Sequence, residues 1–424
     1  MSEPIVVLAL LMGALASYLL LFSRKSAHGP LTGSKLDVDA GEDTITMLRR
    51  STLATRLARP GAPIMKRLFS VSNPFVCDSA AVQSSYRQAV YKAIAQVDDR
   101  AWVAVARTVA RAAKPLLCRR SWPNGTDTIT ADLRHMSLNT SLAAVLKTFF
   151  DIDDVPHEQL SWIAYEIHHV MHHGKLFLLT GASVHEIPED LLRRVDALIQ
   201  TLQNLFTEHQ VSTELAQTIL YSVSGSPDDF NPLNLLIPAF EAPWRANLYT
   251  ILSVLQPGPS SPDYLLALRG CPAAHPLPPL AQAIAYESLR LYPPVRRVSR
   301  IPRFVDIEAI QRDPVHWGST AQRFDSSRFL KADGKHVRSS LVGSQQFAWI
   351  PFAAGAMKCP SSRVFSARMI VVVVGEILRH LFPGDSPPDW EMTGEEWDAA
   401  ARRGDVLRSG RNEYNGVNVV SILR

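Results

Sequence analysis

The sequence contains little cysteine, with four residues in a chain of 424. Cys77, Cys118, Cys271 and Cys359 lie far apart and form no CxxC pair. A disulfide-stabilised scaffold and a structural zinc site both need cysteines that are numerous or closely spaced. The cysteine pattern therefore argues against both classes and favours a reducing compartment.

An excess of charge of one sign is also missing. The 44 lysines and arginines nearly balance 40 aspartates and glutamates, which leaves a net charge of +4. Binding to nucleic acid depends on clustered positive charge that neutralises phosphates. We therefore expect no nucleic-acid partner, and the apolar fraction of 46% is enough for a substantial core.

Strand-like alternation is scarce before the C-terminus, and the sequence has no internal repeat. Apolar residues instead recur at spacings of three and four, which predicts helices. The predicted helical stretches are Ala80–Ala113, Leu133–Phe150, Glu158–His173 and Pro188–Thr207. Near the end, Asn415-Gly416 predicts a turn followed by a strand. The predicted fold class is mainly α with a small β part.

The N-terminus carries an uncharged apolar run, Ile5–Phe22, that Arg24 and Lys25 follow closely. Its length reaches the lower limit for a membrane span, and the basic pair would keep the rest of the chain on the cytoplasmic face. A cleaved signal peptide is the alternative, but signals usually carry positive charge before the apolar run. We predict a membrane anchor over residues 1–25, a linker over 26–61 and a single large domain over 62–424.

Two prolines interrupt the apolar helix predicted over Asn234–Leu255. Neither Pro238 nor Pro243 can donate to the carbonyl four residues earlier, so the helix is expected to open or kink between them. Glu241 lies inside this interval, and a carboxylate in a distorted helix often marks a functional site. The alternative is a kinked core helix in which Glu241 pairs with Arg245, four residues on.

Four histidines, His168, His169, His172 and His173, form pairs at i, i+4 spacing on one predicted helix. Such pairs can bind zinc or nickel. No carboxylate lies between them in the pattern of zinc proteases, so a polar helix end is the favoured interpretation.

Cys359 lies between a loop of small residues, Phe352–Lys358, and a long apolar helix. Pro360 suits the first helical position, which predicts a helix from Pro360 to about Phe382. A thiol just before a helix is favoured as the thiolate, and a thiolate is one of the few axial ligands of haem iron. A buried structural cysteine is the alternative.

Charged side chains recur at fixed places before this loop. Glu287 and Arg290 lie at i, i+3 on the helix predicted over Pro279–Leu291, where they can pair. A cationic strip follows, and the segment Phe324–Phe329 contains Arg328. Any one of these pairs alone would be interpreted as an ordinary surface ion pair.

Taken in order, these motifs resemble the cytochrome P450 superfamily of haem-thiolate enzymes. Glu287 and Arg290 are similar to its ExxR motif, and Arg328 to the third member of the Glu-Arg-Arg network. Phe352, Gly355 and Cys359 match the FxxGxxxC haem-binding loop. The likeness runs from about Pro232 to Leu381, and IPAFEAPWR, YPPVRR and RDPVHWG are most similar to fungal members.

The resemblance implies a P450-like single domain that binds haem b. Cys359 would be the axial ligand of the haem iron, and Phe352 and Gly355 would shape the loop around it. The propionates would be neutralised by Arg297 or Arg300, with Arg296 as a further alternative. Trp102, with Arg107 as the candidate basic partner, would also contact a propionate. Glu287, Arg290 and Arg328 would form the structural network.

Three positions depart from the family pattern. Met357 and Ser361 occupy places that usually hold arginine and glycine in the haem loop. Glu241 stands at the acidic place of the oxygen-binding helix, but Ala242 replaces the threonine that usually follows. Glu241 and Ala242 are therefore the predicted catalytic positions, with Glu241 relaying protons in place of the missing hydroxyl.

The resemblance implies a monooxygenase that inserts one oxygen atom from dioxygen into a small lipophilic substrate. Electrons would come from NADPH through NADPH-cytochrome P450 reductase at the endoplasmic reticulum membrane, in fungal secondary metabolism. One alternative is a reductase-independent isomerase or dehydratase acting on a peroxide, which the missing hydroxyl at Ala242 suits. The other is a degenerate, non-catalytic haem binder, which Met357 and Ser361 suggest.

Overall fold

Helices account for most of the chain in the computed structural model. The model describes residues 61–423 apart from gaps at 75, 77–78, 124–126, 180–183, 212–230, 259, 272, 274–275, 301–302, 339–340, 355–357, 362, 385–388, 398 and 403. One compact unit covers Ile45–Arg424. The predicted anchor and linker lie outside the described residues, so the boundaries at 25 and 61 stay predictions. No helix within the described part is long and apolar enough to cross a membrane.

The helices are named in chain order: α1 (Gly61–Phe69), α2 (Ala80–Gln96), α3 (Asp99–Ala113), α4 (Leu133–Phe150), α5 (His157–Leu179), α6 (Glu189–Glu208), α7 (Leu233–Phe240), α8 (Pro243–Leu255), α9 (Ser261–Arg269), α10 (Pro279–Leu291), α11 (Ile307–Gln311), α12 (Pro314–Trp317), α13 (Gln345–Ala348), α14 (Arg363–Leu381) and α15 (Ala399–Arg402). Short 3₁₀ turns span Lys114–Leu116, Val184–Glu186 and Ser326–Phe329.

The strands form two small antiparallel sheets. They are β1 (Cys118–Ser121), β2 (Asp127–Asp132), β3 (Arg297–Arg300), β4 (Arg303–Asp306), β5 (Asp389–Thr393) and β6 (Asn418–Leu423). The larger sheet has the order β1-β2-β6-β5, with Ile129 opposite Ser421 and Glu391 opposite Val420. The smaller sheet joins β3 to β4. The prediction of a mainly α fold with a small β part is confirmed.

Short polar side chains set several helix starts. Ser79, Asp98 and Asp132 each accept a hydrogen bond from a backbone N–H of the first turn of α2, α3 and α4. These N-caps satisfy donors that lack a partner within the helix. The helical stretch predicted over Ala80–Ala113 is confirmed, and it consists of two helices because Val97 and the cap at Asp98 separate α2 from α3. The predicted bounds of α4 and α10 agree with the structure.

The core centres on four helices. Helix α3 packs on α4 and α14, and α8 packs on the same two helices. Apolar residues from all four are fully buried, among them Val109, Leu142, Ile251 and Val373. Helices α9 and α10 pack on the outer faces of α8 and α14. The pair Glu287–Arg290 on α10 and the Cys359 loop before α14 therefore lie on helices that pack on the same apolar core.

The predicted interruption of the long apolar helix is confirmed. Helix α7 ends at Phe240 and α8 starts at Pro243, which leaves Glu241 and Ala242 between them. Pro238 cannot donate to the Asn234 carbonyl, and the side chain of Asn73 donates to that oxygen instead over 2.9 Å. Because the Asn234 carbonyl has this partner, the interruption leaves no unpaired backbone group at that position.

Close helix packing at Gly375 gives the first testable prediction. A Cβ atom added at this position of α14 would lie 2.7 Å from the carbonyl oxygen of Leu268 in α9. We expect Gly375→Ala to lower the free energy of unfolding by roughly 1–2 kcal/mol, because backbone strain outweighs the better helix propensity of alanine. Urea unfolding of the full chain measures the change.

Gly258→Ala is the matched control. Its added Cβ would meet no atom within 4 Å. We expect a change within about 1 kcal/mol of zero for this control. An equal loss in both variants would contradict the close packing of α9 on α14.

Candidate functional site

A fully buried ion pair lies near the C-terminal end of α10. Arg290 donates from Nε to Glu287 Oε2 over 2.6 Å and from Nη2 to Oε1 over 2.7 Å. Both side chains are 0% exposed. Burial raises the pKa of the Glu287 carboxyl, and the adjacent charge and hydrogen bonds of Arg290 oppose that rise. Such bidentate pairs combine strength with fixed geometry.

The same guanidinium holds the chain that follows α11. Arg290 Nη1 donates to the carbonyl oxygens of Gln311 and Ala321, each over 2.7 Å. Its Nη2 also donates to the carbonyl of Arg323 over 3.3 Å. Residues 311–323 are mostly irregular. The hydrogen bonds of Arg290 fix their backbone to the buried helix α10.

Arg328 completes the network from the other side. Its Nε lies 3.5 Å from Glu287 Oε1. It donates to the carbonyl oxygens of Trp317 and Thr320 over 3.1 and 2.7 Å. The backbone N–H of Asp325 donates to Glu287 Oε1 over 2.9 Å. The structure thus brings together the three residues that the sequence grouped as a structural network.

Aromatic rings connect this network to the loop before Cys359. The Arg290 guanidinium lies 4.8 Å from the centre of the Trp317 ring. Ring centres then follow at 6.2 Å from Trp317 to Phe329, 5.7 Å from Phe329 to Trp349 and 5.9 Å from Trp349 to Phe352. Side-chain contacts are therefore continuous from the buried ion pair to Phe352.

The loop that carries Cys359 is closed by a backbone hydrogen bond. The N–H of Cys359 donates to the carbonyl of Phe352 over 2.9 Å. Ala353 has a φ of 57°, a left-handed conformation that favours glycine. Gly355, the predicted glycine of this loop, lies outside the described residues. Cys359 itself is exposed and forms no disulfide.

The predicted start of the last long helix is wrong. Helix α14 begins at Arg363, and Pro360 and Ser361 form a turn before it. Ser361 Oγ lies 3.1 Å from Cys359 Sγ and accepts a hydrogen bond from Ser366 Oγ over 2.9 Å. These contacts fold the segment back onto α14. Ser361 thus lies between the Cys359 sulfur and the first turn of α14.

Glu241 forms an ion pair with Arg411, which lies in the segment before β6. Arg245, the partner that helix spacing suggested, instead donates to the carbonyl oxygens of Pro294 and Ser409 over 2.7 and 3.1 Å. The alternative pairing of Glu241 with Arg245 is thus not the one formed. Ala242 lies beside Glu241 in the interruption and is half-buried.

The predicted propionate contacts occupy different parts of the fold. Arg297 and Arg300 lie in the hairpin of β3 and β4, where Arg297 is paired with Asp306 over 2.8 Å. Trp102 is buried in α3 with its ring centre 5.3 Å from that of Phe365. The role of these three residues toward a propionate stays a prediction.

Two of the four histidines on α5, the buried His168 and the half-buried His172, take part in a polar cluster with Arg134 and Asn412. His168 contacts Arg134, and Arg134 donates to the side chain of Asn412 over 3.1 Å. The Asn412 Nδ2 atom lies 2.7 Å from His172 Nε2. Burial and the neighbouring arginines lower the pKa of His168 to about 2, so its ring is neutral. Within the described residues, no group of three metal-binding side chains is close enough to hold an ion.

Sequence reasoning missed the contribution of the C-terminal segment. Arg411 pairs with Glu241, and Asn412 joins α4 to α5. Ser409 supplies carbonyl contacts to two arginines. These residues follow no motif spacing, and no local pattern could have indicated that they meet a helix more than 160 residues earlier.

The residues present fit a haem. The Cys359 thiol is accessible and unpaired, and it ends a loop that a backbone bond and aromatic contacts hold in place. One free thiolate suits the axial position of a haem iron, whereas a structural zinc site would need four ligands. Cys359 would bind the iron, and Phe352 would help to hold the loop that carries it.

The fold is mainly helical and is similar to that of solved cytochrome P450 structures. The chain superimposes on a solved structure of a zebra fish cytochrome P450 with progesterone, with a TM-score of 0.59 and 18% identity. The superposition covers 96% of this chain and 99% of that one. At this identity the likeness establishes the fold alone.

Sequence comparisons match part of the chain to cytochromes P450. The Cytochrome P450 family model matches residues 303–389. The chain is 34% identical over 111 residues to cytochrome P450 monooxygenase buaD of Petromyces alliaceus, covering 22% of this chain and 20% of that protein. It is 32% identical over 134 residues to cytochrome P450 93B2 of Gerbera hybrida, covering 28% and 24%. The matches thus span about a fifth to a quarter of these relatives. Over these stretches the chain is similar to cytochromes P450.

The buried network gives the second prediction. Arg290→Ala leaves the Glu287 carboxylate buried without its main partner, which should lower the free energy of unfolding by about 3–5 kcal/mol. Arg297→Ala removes an exposed pair and should cost less than about 1 kcal/mol. Urea unfolding of both variants, with Arg290→Lys as an intermediate, measures the difference. Equal midpoints for Arg290→Ala and Arg297→Ala would contradict the structural role of the network.

Proposed function

We propose that the chain is a haem-thiolate monooxygenase that inserts one oxygen atom of dioxygen into a small lipophilic substrate. The observation that supports this most is the accessible, unpaired thiol of Cys359, held on a closed loop that aromatic contacts connect to the buried Glu287–Arg290–Arg328 network. When bound, the haem supplies the activation of dioxygen, which a thiolate ligand favours.

Different residues of the chain would hold the cofactor and handle protons. Cys359 would hold the iron, and the network on α10 would keep the loop rigid. Glu241 would hold a proton at a carboxylate oxygen and pass it on through a water. Glu241 is paired with Arg411, so this pair would have to loosen before the carboxylate could take part in the relay.

A second candidate is a reductase-independent isomerase or dehydratase that acts on a peroxide. Two features of the interruption between α7 and α8 favour it. Ala242 offers no hydroxyl for proton delivery, and Arg411 holds the only nearby carboxylate that the sequence suggested as a relay. Rearrangement of a peroxide needs no such relay, so this arrangement would not hinder it. A degenerate haem binder remains the non-catalytic alternative.

We also propose a membrane-bound setting for the enzyme. The apolar run Ile5–Phe22 would anchor the chain, and Arg24 and Lys25 would keep the catalytic domain on the cytoplasmic face of the endoplasmic reticulum. NADPH-cytochrome P450 reductase would dock near Cys359, where the adjacent Lys358 is exposed. The partial match to a cytochrome P450 monooxygenase of Petromyces alliaceus supports the monooxygenase activity, and a role in fungal secondary metabolism is part of the same proposal.

Thiolate ligation gives the third prediction. The reduced, CO-treated protein should show the red-shifted Soret band of a thiolate-bound haem, because Cys359 supplies the axial ligand. Cys359→Ser should abolish this band. Cys118→Ser is the matched control, since Cys118 is also exposed and free but lies in β1. Absence of haem uptake by the wild type would overturn both enzyme proposals.

The interruption at Ala242 gives the fourth prediction. Turnover of a lipophilic ligand with NADPH and reductase is compared with turnover of an organic hydroperoxide alone, in the wild type, Ala242→Thr and Ala242→Val. For a monooxygenase we expect NADPH-driven product formation, with coupling in the threonine variant at least equal to wild type and above valine. The two side chains have similar volumes, so their difference isolates the hydroxyl.

Two outcomes would contradict this expectation in different ways. Hydroperoxide turnover without NADPH-driven product would favour the isomerase or dehydratase. A large loss of coupling in both Ala242 variants would show that the interruption has no space for a branched side chain, so that the family threonine has no counterpart at this position.

A further inference from the structure

We propose that the Ser361 hydroxyl donates a hydrogen bond to the Cys359 thiolate and thereby makes the haem iron easier to reduce. The proposal rests on the haem-thiolate function proposed above. It assigns a positioning role to Ser361, which occupies a place that is usually glycine in the cytochrome P450 haem loop.

The geometry around the sulfur carries the proposal. Ser361 Oγ lies 3.1 Å from Cys359 Sγ. Ser366, in the first turn of α14, donates to Ser361 Oγ over 2.9 Å. A hydroxyl has a single hydrogen, and a thiolate has none. Because Ser361 accepts from Ser366, its own hydrogen is available for the sulfur once Cys359 is deprotonated.

A donor at the sulfur changes the charge that the ligand places on the iron. A hydrogen bond to an ionised acceptor is roughly twice as strong as a neutral one, and it withdraws negative charge from that acceptor. Reduction adds one electron to the iron, so a donor at the ligand stabilises the reduced state more than the oxidised state. Ser366 polarises Ser361 further, since hydrogen bonds in a chain strengthen one another.

The backbone allows a clean substitution at this position. The φ angle of Ser361 is not positive, so alanine can replace it without backbone strain. The side chain is half-buried, and its hydroxyl contacts are the two already described. Ser361→Ala therefore removes the donor and little else, Ser361→Thr keeps it, and Ser366→Ala removes only the second bond.

The test measures the ferric–ferrous midpoint potential and the Fe–S stretching frequency of the haem-loaded full chain. We expect Ser361→Ala to lower the equilibrium constant for reduction about tenfold, which is 59 mV for a one-electron couple. The Fe–S frequency should rise, because the sulfur donates more charge. Ser366→Ala should shift both quantities in the same direction by less, and Ser361→Thr should resemble the wild type.

The possible outcomes separate this inference from the proposed function. A wild type without a thiolate-type CO band overturns the function and this inference with it. A normal CO band in all proteins, with equal potentials and Fe–S frequencies, overturns the inference alone. Loss of haem from Ser361→Ala, with unchanged potential in Ser366→Ala, would show that Ser361 only holds the loop.

Discussion

The buried pair of Glu287 and Arg290 is the constraint on which the rest of the site depends. Both side chains are withdrawn from water, which is costly unless every charge and hydrogen has a partner. The partners come from backbone carbonyls and N–H groups between residues 311 and 325, a part of the chain with little regular structure. The need to compensate two buried charges therefore determines the path of that segment.

This path positions the loop that ends at Cys359. The segment carries Trp317 and Phe329, whose rings lead through Trp349 to Phe352. The backbone bond between Phe352 and Cys359 then places the thiol at the edge of the apolar core. A change at the ion pair can thus reach the sulfur through packed side chains, although the two lie on different elements.

The interrupted helix follows a different physical rule. Prolines remove two hydrogen bonds from α7 and α8, and the interruption leaves room for a carboxylate that a regular core helix would exclude. The fold then supplies Arg411 as a counter-ion from near the C-terminus. The pair gives the buried Glu241 carboxyl a charged partner, which bears directly on the choice between proton delivery and chemistry that needs none.

Local signals in the sequence determined the helices, the interruption at Glu241, and the i, i+3 pairing of Glu287 with Arg290, because these depend on neighbours within a few residues. The order of the motifs was enough to indicate the family and Cys359. Tertiary structure alone decided that Arg411 rather than Arg245 pairs with Glu241. It also moved the start of α14 to Arg363 and brought Ser361 to the sulfur. Local spacing in the sequence does not predict these contacts. The packing of the whole chain determines which side chains become partners of buried charges.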